Sequence, residues 1–168
     1  MPQTEAEFER QHVTNWLEEQ GWTVKNGANR PFIGTDYDRA KNEVIYDKVL
    51  EAQVKQINNV TVVELESILQ DLYSSFSSSS SLMETNYNMI KKLRSGGTYT
   101  TKNEAEDDSS YSLIDFEDIS NNEFVAVTQF HFEDSNPHVN RRPDIVLFVN
   151  GLPVSVIESK NVSSKNDS

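Results

Sequence analysis

Residues 142–160 read RPDIVLFVNGLPVSVIESK, and this stretch constrains the fold more than any other part of the chain. Two runs rich in β-branched and aromatic residues flank Asn150 and Gly151, a pair that tolerates left-handed turn conformations and is among the strongest local hairpin signals. Asp144 opens the first run, while Glu158 and Lys160 close the second. Charges at those points cost free energy if buried, so their mutual placement matters. Side chains alternate faces along a strand, and directly paired residues share a face. A two-residue turn pairs Val149 with Leu152 and Asp144 with Ile157, sending Asp144 and Glu158 to opposite faces. A three-residue loop with left-handed Gly151 and a bulge pairs Phe148 with Leu152 and Asp144 with Val156, so that Asp144, Glu158 and Lys160 share a face. The residues permit either register.

The chain has 168 residues, enough for one domain with a real core. Neither a run long and apolar enough to span a bilayer nor a signal-peptide pattern occurs, which points to the cytoplasm. With no cysteine, disulfides, thiolate catalysis and cysteine-bound zinc are excluded, and three histidines (His12, His131, His138) make a histidine-rich metal site improbable. Any metal would sit on oxygen ligands. The formal charge of −12 argues against broad electrostatic binding of nucleic acid. Residues 137–168 depart from this: four basic and three acidic groups leave them at +1, so the acidity lies elsewhere.

Helical patterning dominates residues 1–100. In TEAEFERQHVTNWLEEQG, Thr4 and Glu7 have capping-box spacing, Phe8, Val13, Trp16 and Leu17 fall on one side, and Gly21 can end the helix. After a Gly/Pro/Asn-rich interruption, Val44, Ile45, Leu50, Val54 and Ile57 form a second helical stripe, and Leu65, Ile68, Leu69 and Leu72 a third. The serine run at 74–82 predicts a loop, because hydroxyls compete with the backbone and no apolar face is present. METNYNMIKKLRSGG predicts a short helix before Gly96 and Gly97, and the polar stretch TKNEAEDDSS at 101–110 predicts a second irregular segment. YSLIDFED, EFVAVTQFHFED and the hairpin make 111–160 a β-rich part, read as helices first and an antiparallel sheet afterwards.

Two carboxylates and a lysine on one strand face are the parts needed for metal-assisted phosphodiester hydrolysis: the acids hold a hard cation such as Mg2+, and the lysine orients a water and stabilises developing charge. The competing reading is an exposed salt bridge, worth at most about 1 kcal/mol.

RRPDIVLFVNGLPVSVIESKN closely resembles the N-terminal nuclease domain of type I restriction enzyme R subunits, which belongs to the PD-(D/E)xK nuclease superfamily. Pro143-Asp144 stands as its PD and Glu158-Ser159-Lys160 as its ExK. The resemblance extends through YSLIDFEDISNNEFVAVTQFHF, NYNMIKKLRSGGTYT and TEAEFE…WLEEQGW, so it covers most of residues 1–168. It implies an α/β (α+β) fold in which the helical N-terminal half packs on a mixed central sheet with a restriction-endonuclease-like core. It also implies double-stranded DNA as substrate, Mg2+ as cofactor, and modification and specificity subunits as partners. Asp144, Glu158 and Lys160 would be catalytic. Metal would be held by Asp144, Glu158 and the backbone carbonyl of Ser159, a position that is usually apolar. Glu9 is the matching first-helix acid, or else a solvated helix residue. Arg141 and Arg142 would contact phosphate or simply flank a strand, Gln129 matches a family glutamine or serves a structural hydrogen bond, and His131 and His138 read as surface residues.

The family's QxxxY helix and ATP-using motor do not follow NVSSKNDS, and no GxxxxGK[ST] phosphate loop occurs, so the chain is expected to be a nuclease-domain fragment without ATPase activity. The alternatives are a truncated, non-catalytic interaction module, or another PD-(D/E)xK nuclease.

Overall fold

The computed structural model describes residues 5–28, 32–77, 81–100, 108–133 and 140–158. The described residues form four α-helices and eight strands, in the order α1, β1, α2 to α4, then β2 to β8, and the chain forms two compact units: residues 1–46 with 124–168, and residues 47–123. The fold is α/β, with a mixed sheet.

In the first unit, helix α1 (Glu5–Glu19) ends before Gly21, whose φ of 88° reverses the chain into strand β1 (Thr23–Asn26). β1 pairs in parallel with β4 (Phe124–Thr128), and β4 pairs antiparallel with β7 (Ile145–Val149), which pairs antiparallel with β8 (Leu152–Ile157). The sheet order is therefore β1-β4-β7-β8. On one face Leu17 of α1 packs against Ala126 and Ile145, joined by Val13, Trp22, Val24, Leu147 and Ile157. The other face carries aromatics: Tyr46 lies 4.7 Å from Phe148 between ring centroids, and Phe130 lies 5.4 Å from the same ring. Burial of both faces explains why β7 reads as an unbroken apolar run rather than an alternating one. A short ribbon of β5 (Phe132–Glu133) and β6 (Asn140–Arg141) precedes β7.

In the second unit, α2 (Asp47–Asn58) and α3 (Val62–Ser77) bury Leu50, Val54, Ile68 and Leu72 on their facing stripes. α4 (Leu82–Ser95) is capped by Ser81, whose hydroxyl accepts the Glu84 amide, but none of its residues is buried. A hairpin-like pair, β2 (Gly97–Tyr99) and β3 (Ser109–Tyr111), completes the unit. Asp71 joins its parts: one carboxylate oxygen accepts the Tyr111 hydroxyl at 2.7 Å and pairs with Lys92 of α4. Burial and the Asp71 charge both push the Tyr111 hydroxyl pKa upward.

Five sequence expectations change. Val44 and Ile45, expected in the second helical stripe, precede α2, which starts only at Asp47. The loop expected at 74–82 begins later, because α3 runs to Ser77; Ser74 and Ser75 donate their hydroxyls to the carbonyls three residues back and stay helical. Residues 78–80 and the Thr4–Glu7 capping box lie outside the described residues or side chains. The irregular segment expected at 101–110 ends before Ser109, where β3 starts. YSLIDFED leaves its strand after Tyr111, since Asp115 accepts the amides of Glu117 and Asp118 and turns the backbone. Finally, the sheet is not purely antiparallel. β1, four residues with no alternating pattern, is added in parallel at its edge.

Candidate active site

The hairpin resolves its own register by a route neither reading of the sequence contained. Asn150 and Gly151 form a two-residue turn with φ of 52° and 81°, so Val149 pairs with Leu152 and Phe148 with Pro153. Both φ values are positive, as the type I′ turn favoured by Asn-Gly requires. The register then shifts between Phe148 and Leu147, leaving Val154 as a bulged residue, and continues as Leu147 with Ser155, Val146 with Val156 and Ile145 with Ile157. The ladder ends there, and the same register carried one step further would set Asp144 opposite Glu158. The turn alone would put the two acids out of register; the bulge three residues later puts them in register at the end of the ladder.

Asp144 sits in a bend just before β7 and is half-buried; Glu158 follows β8 and is exposed. The Asp144 carboxylate lies 3.4 Å from Nη2 of Arg10 on α1, with both side chains about one-fifth exposed. The Asp144 carbonyl accepts the amide of Gln129 at 2.8 Å, and Gln129 takes φ of 52° at the end of β4 to reach it. The Gln129 side chain is also structural, since its Oε1 accepts from the exposed Arg142 guanidinium. Arg141 lies in β6, with its side chain outside the described set. Glu9 lies in α1 beside Arg10 and its side chain is likewise undescribed, while Ser159, Lys160 and His138 fall outside the described residues.

An open cleft is lined by Gly27, Ala28, Lys41, Gln129, His131, Glu133 and Arg142, and its Gln129 is the residue whose amide donates to the Asp144 carbonyl. Lys41 pairs with Glu133 at 2.5 Å, and His131 Nε2 lies 2.9 Å from the same carboxylate oxygen. Hydrogen bonds from Lys41 and then His131 hold the Glu133 pKa below the usual carboxylate value. Arg39 fixes the neighbouring loop, donating to the carbonyls of Glu43 at 2.6 Å and His131 at 2.5 Å while stacking over Phe130. Sequence reading missed Arg10, Lys41, Glu133 and Gly27. Lys41 and Glu133 are 92 residues apart and carry no local signal, and Arg10 is one charge among many on a polar helix.

Among the described residues, no three His, Asp or Glu side chains come together to hold a metal. A carboxylate just before β7 and another just after β8 are of the chemistry Mg2+ takes, since it binds one or two protein carboxylates and completes its shell with water and phosphate oxygens. Of the residues expected to hold such an ion, Asp144 and Glu158 carry carboxylates of that kind, and Ser159 lies outside the described residues.

These features define an α/β unit whose sheet carries a bulged, acid-bearing hairpin beside a polar cleft. The chain belongs to the family described as type I restriction enzyme R protein N terminus, whose model matches residues 2–167. It is 31% identical over 148 residues to the type I restriction enzyme HindI endonuclease subunit of Haemophilus influenzae, a match covering 86% of this chain and 14% of that protein. It is 28% identical over 156 residues to a putative type I restriction enzyme MjaIXP endonuclease subunit of Methanocaldococcus jannaschii, covering 88% of this chain and 14% of the relative. A third relative, the putative MjaVIIP endonuclease subunit of the same organism, is 46% identical over 50 residues, or 30% of this chain and 4% of that protein. The chain thus spans about one-seventh of the length of the first two relatives.

Proposed function

We propose that this chain is the DNA-cleaving portion of a type I restriction enzyme R subunit, acting with modification and specificity subunits on double-stranded DNA. The observation that carries this reading is the register of β7 on β8, which the Val154 bulge shifts so that its continuation sets Asp144 opposite Glu158, in a chain of this family. Asp144 and Glu158 hold the metal, with the Ser159 carbonyl as a further donor and Glu9 as the candidate acid from α1. The chemistry Mg2+ would supply there is Lewis-acid stabilisation of charge on the scissile phosphate and activation of the attacking water. Lys160 orients the attacking water and stabilises the charge that develops on phosphate oxygen. Arg142, exposed at the cleft, and Arg141 beside it engage the DNA backbone without reading sequence. Cytoplasmic location accords with DNA as substrate.

A second reading, a docking module that cuts nothing, draws on the net charge of −12 and on the Arg10 guanidinium that already neutralises Asp144. The two separate cleanly. In a full-length R subunit assembled with its partner subunits, Asp144→Asn or Lys160→Ala is expected to abolish DNA cleavage while leaving ATP hydrolysis by the motor intact. Undiminished cleavage by both variants would make the docking reading the better one.

A further inference from the structure

The polar cleft is more positive than the chain as a whole. Lys41 and Arg142 line it against one carboxylate, Glu133, which leaves it at +1 with His131 neutral, in a chain of formal charge −12. Its volume of about 450 Å3 is many times the roughly 30 Å3 of a water molecule. Lys41 is well anchored for a surface lysine: its Nζ donates to Glu133 Oε1 at 2.5 Å, and its carbonyl accepts the Glu133 amide at 3.0 Å. Arg39 ties the same loop to the His131 carbonyl. A side chain fixed in this way loses less freedom on meeting a ligand. An ammonium has further hydrogens to donate, and so does the exposed Arg142 guanidinium, which donates to Gln129 Oε1. Neither Gly27 nor Ala28 adds a backbone donor, because their amides go to the Thr128 carbonyl and to Asn26 Oδ1. A ligand of this cleft is therefore an anion held by side chains.

We infer that this cleft seats one backbone phosphate of duplex DNA, held by the Lys41 ammonium and the Arg142 guanidinium, on the flank of the phosphate to be cut. This rests on the DNA-cleaving reading and adds Lys41 to the residues that position the duplex. The guanidinium fork matches two phosphate oxygens, while the ammonium acts as a point charge. Contacts of this kind fix where a duplex lies without reading its sequence. Gln129 links the seat to the acidic end of the hairpin: its Oε1 accepts from Arg142, and its amide donates to the Asp144 carbonyl. A duplex held at the cleft is thereby registered against the segment that carries Asp144. Glu133 keeps Lys41 in place but repels a phosphate, so it holds the affinity of the seat down.

The test is fluorescence anisotropy of a short labelled blunt duplex titrated with the 168-residue chain, with Ca2+, an oxygen-seeking ion, in place of Mg2+. Lys41→Gln and Arg142→Gln should each weaken binding on the order of tenfold, the loss expected for a hydrogen bond to a charged group. The double variant should lower the slope of log K against log salt by about 0.9, the value for one phosphate. A fall of about 1.8 would mean two separate phosphates and overturn the shared seat. Glu133→Gln keeps an oxygen for Lys41 and should bind the duplex a few-fold tighter, a gain that no misfolded variant can mimic. Inorganic phosphate should displace the duplex no better than chloride at equal ionic strength; stronger displacement would make the cleft a small-anion site and overturn the DNA assignment. If the chain binds duplex but both single variants keep its affinity, or Glu133→Gln brings no gain, the seat is overturned and the DNA-cleaving reading stands. A chain that binds no duplex even at low salt would remove both.

Discussion

Gly27, at the point where β1 meets the end of β4, offers the sharpest test of how the scaffold holds Asp144. A Cβ there would lie 2.8 Å from the Thr128 carbonyl oxygen, 2.9 Å from Val127 Cγ1 and 3.2 Å from the Gln129 carbonyl oxygen. Comfortable contact needs roughly 3.5 Å, so the strand ends must part by about 0.7 Å. Two of the three obstacles are backbone, and one of them, the Thr128 oxygen, is held by the Gly27 amide, which donates to it at 2.8 Å. Overpacking of this kind costs about 1–3 kcal/mol. The less flexible unfolded chain returns about 0.4–1 kcal/mol. The net loss in Gly27→Ala is then about 1–2 kcal/mol, or a Tm lower by about 2–8 °C for a chain of this size. Gly34→Ala is the control, because nothing lies within 4 Å of its Cβ and only the φ of +79° is strained. The strands' separation should also reach Asp144 through the Gln129 amide, so Gly27→Ala should weaken Ca2+ binding and Gly34→Ala should not. Thermal melting and calorimetry read the two effects. A Gly27→Ala chain melting at or above the unsubstituted temperature would refute the packing argument, and one that melts lower but binds Ca2+ unchanged would refute the coupling to Asp144.

Two further perturbations probe the register and the second unit. Deleting Val154 removes the bulged residue but keeps Asp144 opposite Glu158, so Ca2+ binding should survive; inserting one alanine after Ser155 moves Glu158 one position on and flips its face, so binding should be lost. Equal binding by both variants would count against the shared site. Asp71→Ala strands the Tyr111 hydroxyl, whose residue is 3% exposed, and should cost about 1–3 kcal/mol, whereas Tyr111→Phe, which removes donor and need together, should cost less. Because α4 buries none of its residues, its amides should exchange hydrogen faster in Asp71→Ala, and unchanged exchange would show that Lys92 does not tether it.

The sequence alone determined the helices and the hairpin. Leu65, Ile68 and Leu72 lie where a helical period places them, Gly21 and Gly96 stop α1 and α4 with positive φ, and Asn150-Gly151 turns β7 into β8. Such signals are local, because turn chemistry and side-chain periodicity act over a few residues. The RPD…ESK block likewise carried the family, and the chain's membership follows it. The extent of α3 was misjudged because serine preferences are weak against a helix already anchored by buried Ile68 and Leu72. Three things were decided only by tertiary structure. β1 joins the sheet in parallel through a partner about 100 residues away, which no local pattern encodes. The Val154 bulge sets the acid pair, because register depends on how both faces of β7 and β8 are buried as well as on the turn. Arg10 reaches Asp144 across 134 positions, since the packing of Leu17 and Val13 on the Ala126 and Ile145 cluster brings α1 to the start of β7.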